Sequence, residues 1–232
     1  MDMKRYIIAC CGLGIAMLAA CDKFTDVHQE FIKGGEIIYA PKLDSVGVVA
    51  GKNRVGLALR YLNGHHLKST VVYWNDAQDS LVVDLAPFAL KSGLDSLETV
   101  VPDLPENSYS LYLQNVDQNG SRSLLYPAYG TSYGADFQAL IGNRRIREIW
   151  RSDEGFGITW LAADESMVGV ELKFTDAQTG EERLVRKPVE TESVISFMAK
   201  DNRFSYRSLH IPEEAAIDTF YTEWSEPEVI PE

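Results

Sequence analysis

A short motif recurs about one hundred residues apart in this chain, and no other feature of the sequence limits its fold so strongly. Residues 73–79 (YWNDAQD) are echoed by residues 173–179 (KFTDAQT). Upstream, residues 51–55 find a looser echo in residues 142–146. Because an internal repeat indicates the number of folding units, the sequence predicts two units of about one hundred residues, the size of a β-sandwich.

Alternating apolar residues indicate that these units are built from strands. Val55, Leu57, Leu59 and Tyr61 alternate, the 71–74 segment is rich in β-forming residues, and a third alternation covers residues 109–113. Helix signals are short and fall at residues 25–33, 88–92 and 135–141. The predicted fold class is therefore all-β, with two antiparallel β-sandwiches in tandem.

The first twenty residues have the composition of an export signal. Lys4 and Arg5 precede an uncharged apolar run over residues 6–20, which is too short to span a bilayer comfortably. The run ends in Leu18-Ala19-Ala20-Cys21, the order that precedes a lipidated cysteine. The sequence thus predicts a cleaved lipoprotein signal peptide, with Cys21 as the lipidation site and a membrane as the first partner.

These signals together give a predicted domain organisation. The signal peptide covers residues 1–20, and a lipidated tether with a short helix covers residues 21–35. The first sandwich is predicted at 36–130, a linker at 131–143 and the second sandwich at 144–232. Since Cys10 and Cys11 lie in the signal, Cys21 is the one cysteine of the predicted mature chain, and an internal disulfide is not expected.

Charge and histidine content exclude some classes of partner. The chain has 22 lysines and arginines against 34 aspartates and glutamates, a formal net charge of −12, so a nucleic acid backbone would be repelled. His65 and His66 are adjacent, and neighbours in an extended segment point to opposite sides, so they predict no metal site. No cofactor is expected.

Two patterns could indicate hydrolysis. The segment from Gly130 to Gly134 (GTSYG) resembles a nucleophile elbow with Ser132 at its centre, and His210 lies downstream. However, an elbow needs a parallel sheet with alternating helices, which this sequence does not predict. Acidic pairs at 153–154, 181–182 and 213–214 could serve a glycosidase, although such pairs beside turns are usually solvated. We therefore predict no catalytic residue, and keep a glycan or ester hydrolase as the least favoured alternative.

An aromatic cluster between the two units is the candidate binding site. It consists of Tyr126, Tyr129, Tyr133 and Phe137. A flat aromatic ring can stack on the apolar face of a sugar, so an exposed cluster here would form a groove for a glycan. The alternative is that the four side chains pack in a seam between the domains. Trp74 and Trp160 are expected in the cores.

Residues 103–123 resemble the late strands of a fibronectin type III domain. In that fold a leucine and a proline lead into a corner tyrosine and an alternating strand, which ends in a turn with glycine. Leu104, Pro105 and Tyr109 follow this order, and residues 117–120 (DQNG) form the turn. Trp160 occupies the place of the tryptophan that this fold usually buries on its second strand. The second unit lacks the leucine-proline-tyrosine order, which leaves its strand order open.

Segments along the whole predicted mature chain resemble a lipoprotein family of Bacteroidota, catalogued as domain of unknown function 4998. The matching stretches are residues 35–39, 51–55, 72–75, 133–144 and 217–222. Members of that family are typically encoded among outer-membrane glycan-uptake components and can accompany discoidin-like carbohydrate-binding domains. The resemblance therefore implies an envelope lipoprotein with a role near glycan uptake.

The functional prediction combines these observations. We expect a membrane-anchored bacterial lipoprotein of the cell envelope. The sequence leaves the leaflet open, but in the group that the chain resembles an early acidic residue such as Asp22 favours outer-membrane or surface placement. Its role is predicted to be that of a non-catalytic binding or accessory module in glycan capture or uptake, with glycans or outer-membrane uptake proteins as partners. The alternative is a structural spacer or scaffold for envelope proteins.

Overall fold

Short strands make up most of the chain that the computed structural model describes, residues 38–232. The predicted signal peptide, Cys21 and the helix expected at residues 25–33 lie outside the described residues. Residues Ala40–Glu232 form one compact unit. The strands β1–β7, which we call the first module, are Ser45–Lys52, Val55–Leu62, Leu67–Trp74, Asp79–Asp84, Leu94–Val101, Asn107–Asp117 and Tyr126–Tyr133.

The first module is a sandwich of two antiparallel sheets. One sheet has the order β1-β2-β5 and the other the order β4-β3-β6-β7. At its end β1 leaves its own sheet, and Gly51 and Lys52 pair in parallel with Ser132 and Tyr133 of β7. This short parallel contact closes one edge of the sandwich, which protects backbone groups that an open edge would expose.

Inward-facing side chains of both sheets form one core. Its buried members include Val55, Leu57, Leu59 and Tyr61 of β2, and Leu97, Leu111 and Leu113 from β5 and β6. The alternation read from the sequence is thus the burial pattern of the strands. The Tyr61 hydroxyl bonds to Thr70 at 2.9 Å inside the core, and burial raises the pKa of Tyr61 to about 12. Trp74 packs half-buried against this core, as predicted.

The corner tyrosine predicted from the sequence is present. The Tyr109 hydroxyl donates a hydrogen bond to the backbone carbonyl of Pro105 at 2.9 Å. This bond fixes the turn that leads from Leu104, which is buried in the core, into β6. The glycine turn is confirmed as well, since Gly120 has φ of 85° and its N–H donates to the carbonyl of Asp117.

The second module repeats this plan with the same strand order. Strands β8–β15 are Ile146–Arg151, Phe156–Trp160, Met167–Thr175, Glu182–Pro188, Glu192–Ile195, Arg203–His210, Phe220–Tyr221 and Glu228–Val229. One sheet has the order β8-β9-β12 and the other the order β11-β10-β13-β14, with β15 also pairing with β13. The strand order that the sequence left open is therefore that of the first module, and the fold is two tandem fibronectin type III-like sandwiches.

Aromatic side chains dominate the second core. Trp160 is 3% exposed on β9, its indole N–H donates to the hydroxyl of Ser193, and its ring meets Tyr206 edge to face. Phe156 stacks on Phe204 with ring centroids 5.0 Å apart. The burial of Trp160 on the second strand of its module, predicted from the sequence, is confirmed.

The repeated motif has the same place in both modules. Residues 73–79 form the end of β3 and its turn into β4, and residues 173–179 form the end of β10 and its turn toward β11. The turns are built differently. Three successive residues from Asn75 to Ala77 have positive φ in the first module, whereas the Asp176 carboxylate accepts backbone N–H groups of Gln178 and Thr179 in the second.

Contacts between the modules form what we call the joint, made by Arg54, Phe137, Asp218 and Phe220. Arg54 donates from Nε and Nη2 to the Asp218 carboxylate at 2.8 and 2.6 Å. Phe137 meets Phe220 edge to face, with ring centroids 4.9 Å apart. Because the charged bond is bidentate, and because Phe220 is fully buried and Phe137 half-buried, the joint holds the two modules in one geometry.

The short helical segments differ in part from their predictions. Helix α1, Ala135–Leu140, agrees with the expected 135–141 segment. The helix expected at residues 88–92 is instead a single 3-10 turn at Ala86–Phe88, which ends because Ala89 adopts φ of 46°. Further 3-10 turns lie at Gly64–His66 and Lys200–Asn202. Strand β7 continues to Tyr133, three residues into the predicted 131–143 linker.

Candidate functional site

The outer face of the sheet β4-β3-β6-β7 carries the candidate site. Along β6 the side chains of Tyr109, Leu111 and Leu113 point into the core, so the alternate residues point outward. The outward residues of β6 are Ser108, Ser110, Tyr112 and Gln114. They lie beside outward residues of β3 and β7, which adds aromatic rings and hydroxyl groups to the same surface.

Three tyrosines form a row across this face. Tyr73 on β3 lies directly opposite Tyr112 on β6, and Tyr112 pairs with Pro127, which places Tyr129 diagonally beside it. Directly opposite residues have Cβ atoms about 5 Å apart, and diagonal neighbours about 7–8 Å, within reach of aromatic side chains. We call Tyr73, Tyr112 and Tyr129 the tyrosine row. It is open to solvent, since Tyr112 is 39% and Tyr129 70% exposed.

Two clefts lie along the tyrosine row. One has a volume of about 370 Å³, and its lining includes Tyr129, Ser108, Ser110, Thr131 and Glu213. The other has a volume of about 360 Å³, and it is lined by Tyr73, Asp76, Ala77, Tyr112, Gln114 and Leu125. Since Ser110 and Tyr112 are successive outward residues of β6, the two clefts are neighbours along this strand, and the cleft beside Tyr129 extends to Val48 and Ala50 of β1.

Hydrogen bonds fix the polar groups at both ends of the row. At one end Arg122 donates to the Tyr73 hydroxyl at 2.9 Å and to Gln114 Oε1 at 3.0 Å. At the other end the Tyr133 hydroxyl donates to Glu213 Oε1 at 2.9 Å. Burial, reinforced by the bond to Glu213, raises the pKa of Tyr133, so the phenol keeps its proton and remains a donor.

This arrangement suits a ligand with both apolar and hydroxyl-bearing faces. Aromatic rings supply flat apolar contact area with little conformational entropy to lose, and a few fixed polar groups orient the ligand. Serine and threonine hydroxyls can both donate and accept, whereas a carboxylate accepts alone. A sugar ring, with its apolar face and its ring of hydroxyls, has the matching chemistry.

The four aromatic residues predicted as a cluster do not form one surface. Tyr129 lies on the tyrosine row, while Tyr126 packs against the first core, with the Lys42 ammonium 5.7 Å from its ring centroid. Tyr133 and Phe137 meet edge to face at 5.4 Å, and Phe137 belongs to the joint. The strand period explains the split, because Tyr126 and Tyr129 are an odd number of residues apart and face opposite sides.

Sequence reasoning missed Tyr73 and Tyr112. The alternation of inward-facing residues in β6 was recognised from the sequence, and Tyr112 lies between two of these residues, so it had to face outward. Tyr73 lies in the repeated motif beside Trp74, and one of two neighbouring residues in a strand must face outward. The signal was therefore available, but the pairing that sets Tyr73 opposite Tyr112 depends on strand neighbours far apart in the chain.

The elbow-like serine is part of the core. Ser132 is fully buried in β7, and its hydroxyl donates to the backbone carbonyl of Leu104 at 2.8 Å. His210 is also fully buried, and its ring nitrogens bond to the Ser166 hydroxyl and to the carbonyl of Gly142. Neither side chain bonds to the other. The serine therefore lies in a paired strand and lacks the exposed turn that a nucleophile elbow provides.

The remaining candidates lie at the surface. His65 and His66 are both exposed, in a 3-10 turn rather than in the extended segment expected. All three acidic pairs are exposed, and Glu213 is the member that reaches the tyrosine row. Within residues 38–232 no three histidine, cysteine or acidic side chains come together in a group that could hold a metal ion. In the same range no helix is long and apolar enough to span a bilayer.

The solved structures to which the chain is similar include tandem fibronectin type III domains and a bacterial protein. The chain is similar to the FN1-FN3 domains of chicken CNTN1, with 13% identity over 83% of this chain and 68% of that chain, at a TM-score of 0.46. It is similar to latent PorU from Porphyromonas gingivalis, with 11% identity over 82% of this chain and 20% of that chain, at a TM-score of 0.32. It is also similar to a segment of two fibronectin type III domains from chicken tenascin, with 10% identity over 81% of this chain and 98% of that chain, at a TM-score of 0.28.

Fold and family rest on different observations. The fold of this chain rests on its own strand order and pairing rather than on these distant similarities. None of the curated proteins matches the chain. A family profile described as a domain of unknown function matches residues 21–220. Since this match covers most of the chain, the protein belongs to the family catalogued as domain of unknown function 4998.

Proposed function

We propose that this protein is a lipid-anchored, non-catalytic binding module of the bacterial cell envelope, and that the tyrosine row binds a glycan. The observation that carries the proposal is the row itself: Tyr73, Tyr112 and Tyr129 lie side by side on an open sheet face and line two clefts, of which the one beside Tyr129 also carries serine, threonine and carboxylate groups. Aromatic rings left exposed in a row usually mark an interaction surface.

The envelope location in this proposal depends on the sequence of the first 21 residues. The basic start, the apolar run and Cys21 match a lipoprotein signal. The family profile begins to match at residue 21, the residue that would become the first of the mature protein. A full chain with a net charge of −12 is suited to an aqueous envelope surface rather than to contact with nucleic acid.

Binding without catalysis is supported by the state of the nucleophile candidate. Ser132 and His210 are both buried and are bonded to other groups, so they offer no activated hydroxyl to a substrate. Of the three predicted acidic pairs, the member that lines a cleft of the tyrosine row is Glu213, and its carboxylate is bonded to Tyr133.

Affinity electrophoresis with a panel of neutral and acidic polysaccharides tests glycan binding. The wild-type protein should be retarded by at least one polysaccharide, and Tyr129→Ala should remove most of the retardation because Tyr129 is the most exposed ring of the row. Tyr39→Ala is the matched control, since Tyr39 is an exposed tyrosine that lines neither cleft. No retardation of the wild type by any polysaccharide would contradict the proposal.

The lipid anchor is tested by replacing Cys21. Wild-type protein made in bacteria should partition into the detergent phase, and Cys21→Ala should leave it in the aqueous phase with its signal peptide retained. Detergent partitioning of a processed Cys21→Ala protein would show that another segment holds the chain at the membrane.

A structural spacer is the second candidate function, and the joint favours it. A bidentate arginine-carboxylate bond between the modules is a feature that a rigid rod requires. In that case Arg54→Ala should reduce the capture of envelope proteins in a cross-linked pull-down, whereas Tyr129→Ala should leave that capture unchanged. The two functions are thereby separable.

A further inference from the structure

The cleft beside Tyr129 is not built from the first module alone. Glu213 belongs to the segment between β13 and β14 of the second module, and its carboxylate lines this cleft with Ser108, Ser110 and Thr131 of the first module. Glu213 Oε1 accepts the Tyr133 hydroxyl at 2.9 Å. From residues 38–232 no hydrogen bond reaches its other carboxylate oxygen, which remains available to a ligand.

Contacts with the first module hold this segment in place. The backbone N–H of Ile217 donates to the carbonyl of Ala50 at 2.8 Å, and Ala50 itself lines the cleft. One residue further on, Asp218 accepts hydrogen bonds from Arg54 and from the backbone N–H of Lys52. Within the segment, the N–H of Ala216 donates to the carbonyl of Glu213 at 3.0 Å. The carboxylate is therefore positioned before a ligand arrives.

The charges along the tyrosine row favour an uncharged ligand. Glu213 lies at one end of the row and Asp76 lines the cleft at the other. Arg122, which donates to the neutral groups of Tyr73 and Gln114, offsets one of these two negative charges. With a net charge of −12 on the whole chain, the field over this face repels uronic acids and sulfated sugars.

We infer that the second module completes the binding site of the first, with Glu213 accepting hydrogen bonds from the hydroxyls of a neutral glycan stacked on the tyrosine row. This inference rests on the proposed glycan binding and names its substrate class and its specificity-determining residue. Asp218 is a positioning residue in this site, since it acts through the segment that carries Glu213.

Calorimetric titration of the full-length protein with neutral oligosaccharides and with uronic acid oligosaccharides tests the inference. The neutral ligand should bind wild type in preference to the acidic one, and Glu213→Gln should weaken its binding by about tenfold or more, since hydrogen bonds to a charged group are stronger than neutral ones. The same substitution should reduce the ratio between the affinities for neutral and for acidic oligosaccharides, because it removes a negative charge from the site. Glu214→Gln, which removes an equal charge one residue away, should change neither the affinity for the neutral ligand nor the preference for it over the acidic one.

The outcomes separate this inference from the proposed function. If Glu213→Gln binds like Glu214→Gln while Tyr129→Ala has lost affinity, glycan binding stands and the inference about Glu213 is wrong. If acidic oligosaccharides bind wild type better than neutral ones, the substrate class is wrong. If wild type binds no sugar, both the inference and the proposed function are wrong.

A double-variant cycle tests the positioning role of Asp218. Asp218→Asn should weaken neutral glycan binding in the wild-type background and have little further effect in the Glu213→Gln background, because its contribution passes through Glu213. A merely structural role would give equal losses in both backgrounds, and that result would overturn the assignment.

Discussion

The two four-stranded sheets have the same strand order, but the aromatic side chains on their outer faces differ in exposure. In the first module the tyrosine row is open to solvent. In the second module Arg207 lies over the rings of Tyr221 and Trp224, at 4.2 and 4.6 Å, and Lys173 lies over Trp224 at 4.5 Å. The aromatic surface there is covered by cations of the chain itself.

A buried carboxylate organises the covered face. Glu171 accepts hydrogen bonds from Arg186 and Arg207 across neighbouring strands. Burial opposes its ionisation, but the two guanidinium groups outweigh this and hold the pKa of Glu171 below its usual range. We call Lys173, Glu171, Arg186, Arg207, Tyr221 and Trp224 the cation ladder. One sandwich thus uses its outer face for its own stability, while the other leaves its face for a ligand.

The difference begins in the repeated motif. Tyr73 and Lys173 occupy equivalent positions at the end of the third strand of each module. A ring at this position extends a row of rings, whereas an ammonium pairs with an aromatic side chain and removes it from the exposed surface. Substitutions on the two faces should therefore have separate consequences.

The largest expected effect is on the cation ladder. Glu171→Ala leaves two guanidinium groups without their shared carboxylate, and we expect unfolding free energy to fall by about 2 kcal/mol, less than for a fully buried pair because both arginines are partly exposed. Urea unfolding followed by tryptophan fluorescence measures this. Glu182→Ala, at an exposed position on β11 of the same sheet, should have little effect. Equal losses in the two variants would show that the ladder does not stabilise the module.

The second-largest effect should be on the affinity for a glycan. Tyr112→Ala removes the middle ring of the tyrosine row, and we expect about a tenfold loss of glycan affinity, equivalent to about 1.4 kcal/mol. Trp224→Ala is the matched aromatic truncation in the cation ladder, and it should lower stability while glycan affinity stays as in wild type. Calorimetric titration and urea unfolding of both variants give the comparison. A loss of affinity in Trp224→Ala would contradict the separation of the two faces.

A smaller effect is expected at the corner tyrosine, which the first module has and the second lacks. Tyr109→Phe keeps the ring and removes the hydroxyl that bonds to the Pro105 carbonyl, so unfolding free energy should fall by about 1 kcal/mol. Tyr112→Phe, whose hydroxyl makes no bond to residues 38–232, is the control for loss of a phenol. Unfolding of the two variants in urea should differ by this amount, and identical midpoints would show that the corner bond contributes nothing.

The smallest expected effect is a pH dependence in the second module. Burial lowers the pKa of His210, whose ring faces the Ser166 hydroxyl, the Gly142 carbonyl and the charge of Asp164. The unfolded chain therefore binds the proton first as the pH falls, so the stabilisation is complete above the unfolded pKa near 6.5 and is lost below it, down to the lower folded pKa. Urea unfolding between pH 7.5 and 5 measures this slope, and His210→Gln should have a shallower one. Equal slopes would contradict the assignment.

The fold could be predicted from the sequence because its determinants are local. The alternation of β2 and β6 follows from the two-residue period of a strand, and Leu104, Pro105 and Tyr109 specify a corner within six residues. Helix α1 was predicted for the same reason. The 3-10 turn at Ala86–Phe88 was not predicted, and a helix was expected at residues 88–92 instead. The reason is that Ala89 adopts a left-handed conformation, which its residue type does not indicate.

The candidate site was predicted only in part. Tyr129 was identified, but Tyr73 and Tyr112 were not. Tyr126 packs against the first core and Phe137 packs in the joint, while Tyr133 lies at the end of the row, where it bonds to Glu213. Closeness in sequence does not place side chains on one face of a sheet, since each step along a strand reverses the direction of the side chain. Glu213 lies 84 residues after Tyr129, and no local pattern connects them.

The sequence by itself determined the two-unit organisation, the strand character and the identity of the corner residues, because these depend on neighbours within a few positions. The tertiary structure alone decided which rings share a face, which rings are covered by cations, and which residue of the second module reaches the first. These features depend on strand pairing and on the joint, where residues more than a hundred positions apart, such as Arg54 and Asp218, come within hydrogen-bond distance. Long-range packing, with its requirement that buried groups find partners, fixes them.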